Sequence, residues 1–177
     1  MPSRATELLL LAIDIGSSSL RTALFDERGQ RIAGSAAIRE YQISYTPDGG
    51  AELDPAMLLR AAKNCLSKTI RGAGKTRVAA VGGSAFWHSL LGLDAKLRPI
   101  TPIWTWADAR AMPDAERLRT LLDEREIHAC TGCMLRASFW PAKLSWARRT
   151  DPRRYRRVRC WVSPADWLFC ELFGVDE

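Results

Sequence analysis

Long apolar stretches and export signals are missing from this sequence of 177 residues. Its longest apolar run, residues 8–13, is far shorter than the ~20 residues that cross a membrane, and no signal-peptide layout precedes it. Disorder is excluded as well, because 47 % of the residues are hydrophobic and only 26 % are charged. We therefore expect a globular protein of the cytoplasm with no membrane partner.

Cysteines are few. There are five, an odd number, and they are unevenly spaced: Cys65, Cys130, Cys133, Cys160 and Cys170. This favours reduced thiols over a disulfide framework. Cys130 and Cys133 have the CxxC spacing of zinc ligands, but no second close pair accompanies them. A zinc site is therefore not expected.

Acidic residues are nearly missing from residues 136–159, which hold nine basic residues and only Asp151 as an acid. This segment carries a net +8, so that the remaining chain carries −2 of the formal +6. Aromatic residues lie between the arginines, a pattern that could form an RNA-binding face. Helical spacing would equally turn Trp140 and Trp146 into the core, and we do not expect nucleic acid as a partner.

The pattern that is present alternates strands with helices. Residues 8–15 predict a strand covered on both faces, and residues 20–25 and 30–40 predict two more that complete a three-strand antiparallel meander. The dipeptide Asp54-Pro55 predicts the start of a long helix. The chain thus opens with a sheet and a helix that packs on it.

The second half continues this mixture. Residues 78–84 predict a short buried strand, and residues 89–93 and 99–104 predict a hairpin. Three helices follow, the last introduced by Ser163-Pro164-Ala165-Asp166, which resembles a capping box, and a strand within residues 158–162 is possible. We expect an α/β fold in which helices flank a mixed sheet.

The turn between the first two predicted strands carries the strongest chemical signal. Its glycine lets the backbone turn tightly, so that successive N–H groups, serine hydroxyls and an arginine can face one phosphate. A carboxylate at the end of a buried strand can orient a hydrated Mg²⁺. A plain hairpin turn is the alternative, since Asp, Gly and Ser are common turn residues. The candidate phosphate-binding residues are Asp14, Gly16, Ser17, Ser18, Ser19 and Arg21, with Asp14 as the Mg²⁺ ligand through water.

The pattern Asp-x-Gly-Ser-x-Ser-x-Arg-x-x-x-Phe-Asp, residues 14–26, resembles the first phosphate loop of the FGGY carbohydrate kinases. Residues 84–89 and 99–110 resemble the sugar-site segments of that family, and Trp-Ala-Asp-x-Arg looks most like its gluconokinase branch. Residues 131–146 and 166–174 are similar to the helical stretch that comes next. The resemblance implies an actin-like ATPase fold, related to that of ribonuclease H.

By the same resemblance, His88, Trp106, Asp108 and Arg110 bind the sugar. His88 follows the Gly-rich end of a predicted strand, where open α/β sheets place ligands. The other three alternate in sequence, so on an extended segment they would share one face and offer a ring, a hydroxyl acceptor and a cation. The residues alone leave two alternatives open, a structural histidine and a solvated hairpin edge.

The resemblance implies an enzyme that uses ATP and Mg²⁺ to phosphorylate a primary hydroxyl of a gluconate-like or xylulose-like substrate. Residues 1–177 would then form a single, incomplete N-terminal sugar-binding lobe. The general-base Asp is expected beyond Glu177, so that no catalytic residue lies within the chain, and the ATP-binding lobe is expected to be absent. We expect the sugar and a missing C-terminal lobe, or a partner chain, as partners, and no activity from the fragment alone. The alternative is a non-catalytic actin-like binding or regulatory module that contacts nucleic acid through residues 136–159.

Overall fold

The computed structural model describes residues 8–74 and 76–174, which divide into two compact units. The first unit combines residues 8–42 with 56–86, and the second combines residues 43–55 with 87–174. No helix among the described residues is long and apolar enough to span a membrane.

In chain order the elements are β1 (Leu8–Ile15), β2 (Ser19–Phe25), β3 (Ala37–Glu40), β4 (Ser44–Tyr45), β5 (Ala51–Leu53), α1 (Pro55–Ala73), β6 (Arg77–Ala85), β7 (Leu91–Leu93), β8 (Ile103–Trp104), α2 (Met112–Leu121), α3 (Glu124–Thr131), α4 (Trp140–Thr150), α5 (Pro152–Arg157), β9 (Cys160–Val162) and α6 (Pro164–Phe173).

The first unit is built on a four-stranded sheet with the order β3-β2-β1-β6. Strand β1 pairs antiparallel with β2 and parallel with β6, and β2 pairs antiparallel with β3. This confirms the predicted meander, although its third strand is shorter than expected. Side chains alternate along β1, and those of Leu9, Leu11 and Ile13 are buried. Helix α1 lies against this sheet, where the hydroxyls of Thr22 and Thr69 are 2.6 Å apart.

The opposite face of this sheet is open. Leu8 and Leu10 on this face are each 40 % exposed. Strand β6 is exposed along most of its length, including Val81, the register partner of the buried Leu11, which is 42 % exposed. The prediction that residues 8–15 and 78–84 are fully buried strands is therefore wrong. An apolar run cannot distinguish one covered face from two, because the difference lies in what packs on it.

The second unit holds the sheet β4-β5-β8 and the strand pair β7-β9. The predicted hairpin forms, with Leu90 and Trp104 exchanging backbone hydrogen bonds of 3.0 and 2.9 Å. Strand β9 confirms the strand expected within residues 158–162. Sequence analysis missed β4 and β5, and it predicted three helices where five, α2–α6, follow β8.

Two clusters of buried side chains hold the helices of the second unit. Ala111, Ala115 and Ala142 lie between the start of α2 and α4, where small side chains permit close approach. The second cluster, here called the aromatic core, is formed by Leu90, Trp104 and Ala147 with Trp140, Leu144, Trp146, Tyr155 and Trp161 packed against them. Helix α6 begins with the predicted capping box of Ser163 and Asp166.

Candidate functional site

The turn between β1 and β2 contains the predicted phosphate-binding residues. Gly16 N donates to Ser19 O over 2.9 Å, and a Cβ at position 16 would lie 3.2 Å from that oxygen. Glycine is therefore the residue that lets the turn close. Asp14 and Arg21 are register partners at the base of the turn.

Asp14 and Arg21 present accessible charges in this turn. Their side chains are 55 % and 62 % exposed, and Arg21 Nη1 lies 3.8 Å from Asp14 Oδ2. Ser84, near the end of β6, donates from Oγ to Asp14 Oδ1 over 3.0 Å. Because β1 and β6 are parallel, their carboxyl ends meet at the edge where open α/β sheets bind ligands. Sequence analysis counted Ser84 within the sugar-site segment 84–89 and did not place it beside the phosphate turn, because sheet pairing brings it next to a residue 70 positions away.

The three serines of the turn differ in accessibility. Ser18 is exposed, Ser17 is half-buried and Ser19 is only 5 % exposed. Ser19 begins β2 and pairs with Glu40 of β3. A phosphate at this turn would therefore meet Ser17 and Ser18 before Ser19.

Tyr41, directly after β3, holds the turn from one side. Its N–H donates to Ser18 O over 2.9 Å, and its hydroxyl donates to Gly16 O over 2.5 Å. Burial, with a smaller contribution from the Asp14 charge, raises the pKa of Tyr41 above its ordinary value, so the hydroxyl remains a donor at neutral pH. Sequence analysis overlooked Tyr41, because the contact depends on the pairing of β2 with β3.

Asp14 is the carboxylate that this turn offers to a cation. Among residues 8–74 and 76–174, no group of three or more His, Cys, Asp or Glu side chains could hold a metal ion. Mg²⁺ keeps several of its waters when it binds a protein, so the exposed Asp14 fits a contact through water. The five cysteines are free thiols, as expected.

His88 belongs to the second candidate cluster and lies in a turn before β7. Its φ of +60° falls in the left-handed region, which costs a non-glycine residue about 1–2 kcal/mol. Its ring centroid lies 4.0 Å from that of Phe139 and 5.3 Å from that of the exposed Trp87. Burial and the nearby Lys143 charge lower the pKa of His88. A neutral imidazole carries one donor and one acceptor, and a polyol hydroxyl can use both.

Lys143 of α4 lies next to this turn and is only 1 % exposed. Its Nζ donates to His88 O over 3.1 Å, to Trp104 O over 3.1 Å and to Thr105 O over 2.5 Å. Burial lowers the pKa of Lys143 to about 8, and Asp108 acts in the opposite direction. Sequence analysis counted this lysine within the basic segment, whereas the structure shows an internal residue with an acceptor for each ammonium proton.

Asp108 and Arg110 form an internal ion pair. Arg110 donates from Nε and Nη2 to the two Asp108 oxygens over 3.1 and 2.6 Å, and Nη2 also donates to Glu52 Oε1 over 2.6 Å. Asp108 is 3 % exposed and accepts from Ala51 N over 3.2 Å. The guanidinium lies over the Trp146 ring, 4.5 Å from its centroid.

The expectation that these residues lie on one extended face with Trp106 is therefore wrong. Strand β8 ends at Trp104, and the chain then turns, with Asp108 N donating to Thr105 O over 3.1 Å. Trp106 is 50 % exposed, whereas the side chains of Asp108 and Arg110 are 3 % and 12 % exposed. Trp106 is thus the accessible member of the three.

The basic segment contains paired as well as exposed charges. Arg149 donates to Asp114 of α2 over 2.7 Å, and Arg154 pairs with Asp151 at 3.3 Å. The aromatic residues between the arginines belong to the aromatic core and are partly buried there, whereas stacking of RNA bases needs exposed ring faces. That nucleic acid is not a partner stays a prediction.

Comparisons with known proteins point to one family. The family model "FGGY family of carbohydrate kinases, N-terminal domain" matches residues 9–176. The chain is 26 % identical over 166 residues to the gluconokinase of Bacillus subtilis and 32 % identical over 174 residues to the autoinducer-2 kinase of Salmonella choleraesuis. Each alignment covers 93 % of this chain and 32 % of the relative, so the chain spans about a third of the length of these curated relatives.

A solved structure gives the same result for the fold. Gluconate kinase from Lactobacillus acidophilus matches with a TM-score of 0.86 at 22 % identity, over 94 % of this chain and 33 % of that one. This likeness confirms the fold expected from the resemblance.

Proposed function

The chain belongs to the FGGY family of carbohydrate kinases, and on that premise we propose that it forms part of an ATP-dependent sugar kinase. The proposed reaction moves the γ-phosphoryl group of ATP to a primary hydroxyl of a sugar or sugar acid of the gluconate or xylulose type. One observation carries the proposal: Asp14, Arg21 and Ser84 form an exposed polar cluster where β1 and β6 end. A cytoplasmic location stays a prediction.

On this proposal the first unit binds the phosphate. The exposed Ser18 offers its hydroxyl, and Arg21 offers charge-assisted hydrogen bonds to phosphate oxygens. Asp14 would hold Mg²⁺ through water, and the ion, when bound, neutralises phosphate charge. Positioning and charge neutralisation supply most of the catalysis in such transfers.

The second unit binds the acceptor on this proposal. The neutral His88 ring accepts from one hydroxyl or donates to another, and the exposed Trp106 ring covers the carbon chain. Asp108 and Arg110 shape this part through their internal pair instead of contacting the sugar. The general base and the adenosine site are assigned to a C-terminal lobe or partner chain, because the chain covers only about a third of its relatives.

A chimera tests the proposal. Residues 1–177 are joined to the remaining two-thirds of the Bacillus subtilis gluconokinase, and ATP turnover is measured with gluconate, xylulose, ribulose and glycerol. We expect background rates from the chain alone and turnover from the chimera. Asp14→Ala should lower kcat by about 10²-fold with a smaller change in the acceptor KM, since phosphate charge matters most in the transition state.

Glu27→Ala is the matched control, because Glu27 is an exposed carboxylate beyond the far end of β2. Robust turnover by the chain alone, or a kcat unaffected by Asp14→Ala, would contradict the proposal. A folded chimera without turnover would favour the non-catalytic module. An NMR titration of the chain with Mg²⁺ and ATP gives a second readout, in which the amides of residues 14–21 should shift.

A further inference from the structure

Helix α4 and its N-cap residue, Phe139, meet the His88 turn with three side chains. The Phe139 ring lies against the imidazole at 4.0 Å between centroids. Trp140 Nε1 donates to Ser89 O over 3.2 Å, and Lys143 Nζ donates to His88 O over 3.1 Å. The turn that carries a left-handed histidine is thus held by the N-cap and the first turn of α4.

Lys143 extends this contact to a second segment, which the backbone hydrogen bonds between Leu90 and Trp104 also join to the chain after His88. Its other two donors reach Trp104 O and Thr105 O, the carbonyls directly before Trp106. Thr105 O also accepts from Asp108 N, which closes the turn carrying Trp106. One ammonium group therefore joins the two segments that contain the accessible residues of the proposed acceptor site.

Burying a charge here costs free energy unless hydrogen bonds compensate for its lost hydration. A methionine would occupy a similar volume, but it would leave three carbonyls without this donor. Three acceptors around a tetrahedral ammonium define the separation of the segments more narrowly than apolar packing does. We propose that Lys143 is a positioning residue of the acceptor site, which fixes the His88 turn to the segment carrying Trp106.

This inference rests on the proposed function, since an acceptor site gives the arrangement a use beyond folding. The charged groups that act on Lys143 are Asp108 and Arg110, from the turn after β8, and the charge that acts on His88 is that of Lys143. Removing the ammonium should therefore change the ionisation of His88 as well as the geometry around it.

Lys143→Met in the 177-residue chain tests the proposal by NMR. The two histidines are His88 and His128, so His128 serves as an internal reference. We expect the pKa of His88 to rise, because the Lys143 charge that lowers it is gone. Exchange of the Asp108 amide should accelerate, and binding of D-gluconate or D-xylulose should weaken, each by about 10-fold for the loss of these bonds.

Lys96→Met is the matched control, because Lys96 is an exposed lysine in the turn after β7 and removes the same charge. It should leave all three readouts as in the wild type. A Lys143→Met protein with a wild-type His88 pKa, exchange rate and polyol affinity would overturn the inference. A wild type that binds neither polyol would instead contradict the proposed function, and the histidine pKa and amide exchange would still decide whether Lys143 holds the two segments.

If Lys143→Met does not fold, measurements on the wild-type protein test the inference instead. With ¹³C-labelled lysine, the Lys143 side chain should titrate near pH 8, and its ammonium protons should exchange slowly. A Lys143 that titrates near the ordinary lysine pKa of about 10.4 and exchanges its ammonium protons rapidly would overturn the inference.

Discussion

Removing the Arg110 guanidinium should destabilise the second unit. Arg110→Met keeps an unbranched apolar side chain but removes two hydrogen bonds to Asp108 and one to Glu52. Asp108, 3 % exposed, would then keep its negative charge in the interior with backbone donors alone. Breaking a buried ion pair from one side costs about 3–5 kcal/mol.

The lower end of that range applies here, because Glu52 is 26 % exposed and can turn to solvent. Asp108 also keeps the bonds from Ala51 N and Arg110 N. Loss of the contact with the Trp146 ring adds about 0.5–1 kcal/mol. We therefore expect the free energy of unfolding to fall by about 3.5–4 kcal/mol, which lowers the urea midpoint by roughly 1–4 M.

Tryptophan fluorescence is a suitable assay, since all seven tryptophans lie at or after Trp87 and hence in the second unit. Arg98→Met is the control: Arg98 pairs with Asp94 in the same unit, but its side chain is 69 % exposed, and exposed pairs contribute little. The double variant Asp108→Asn with Arg110→Met should be more stable than Arg110→Met alone, because the buried charge is gone. If Arg110→Met unfolds at the same urea concentration as Arg98→Met, Arg110 does not pair with Asp108 in the interior. It would then be accessible to bind the sugar, as sequence analysis predicted.

Three further outcomes are expected. Tyr41→Phe removes the bond to Gly16 O and should cost about 1 kcal/mol, with faster amide exchange in the β1-β2 turn; unchanged exchange would mean that Tyr41 does not hold the turn. The lowered pKa of folded His88 means that the unfolded chain takes up this proton first as the pH falls through about 6.5, so the free energy of unfolding should decrease below that pH. The decrease should be smaller in His88→Asn, whose side chain tolerates a left-handed φ, and equal decreases in both proteins would refute the assignment. Light scattering in the presence of reductant should show that the chain self-associates. Val81→Lys on β6 should reduce this self-association, because charge on an edge strand opposes pairing. A monodisperse monomer that binds no hydrophobic dye would show that the open sheet face needs no cover.

The parts of the fold that could be predicted depend on residues adjacent in sequence. Pro55 at the first helical position and the Ser163–Asp166 capping box act within one turn of helix, and both stand where expected. Strands β4 and β5 could not be predicted, because two and three residues carry no pattern of their own. They are strands because β5 pairs with β8, some fifty positions away.

The same distinction separates the predicted from the missed parts of the candidate site. The turn from Asp14 to Arg21 depends on residues adjacent in sequence, and its residue types predict it. Sequence analysis counted Lys143 as one charge of the basic segment, because nothing in the sequence shows that three carbonyls converge on it. The internal pair of Asp108 and Arg110 could not be predicted, because the motif shows these residue types but not their third partner, Glu52, which lies 58 positions from Arg110.

The open edge of β6 links the stability of the first unit to its chemistry. Among the described residues β6 pairs only with β1, so its other edge presents free backbone donors and acceptors. A further parallel strand on that edge would cover exposed residues such as Val81 and would also bring another carboxyl end beside Ser84 and Asp14. Side chains at that end would then enter the proposed phosphate site, as they do at the carboxyl edges of other parallel sheets. A strand added there would therefore contribute to the proposed site as well as cover the edge, so a chimera is a more suitable test of catalysis than the isolated chain.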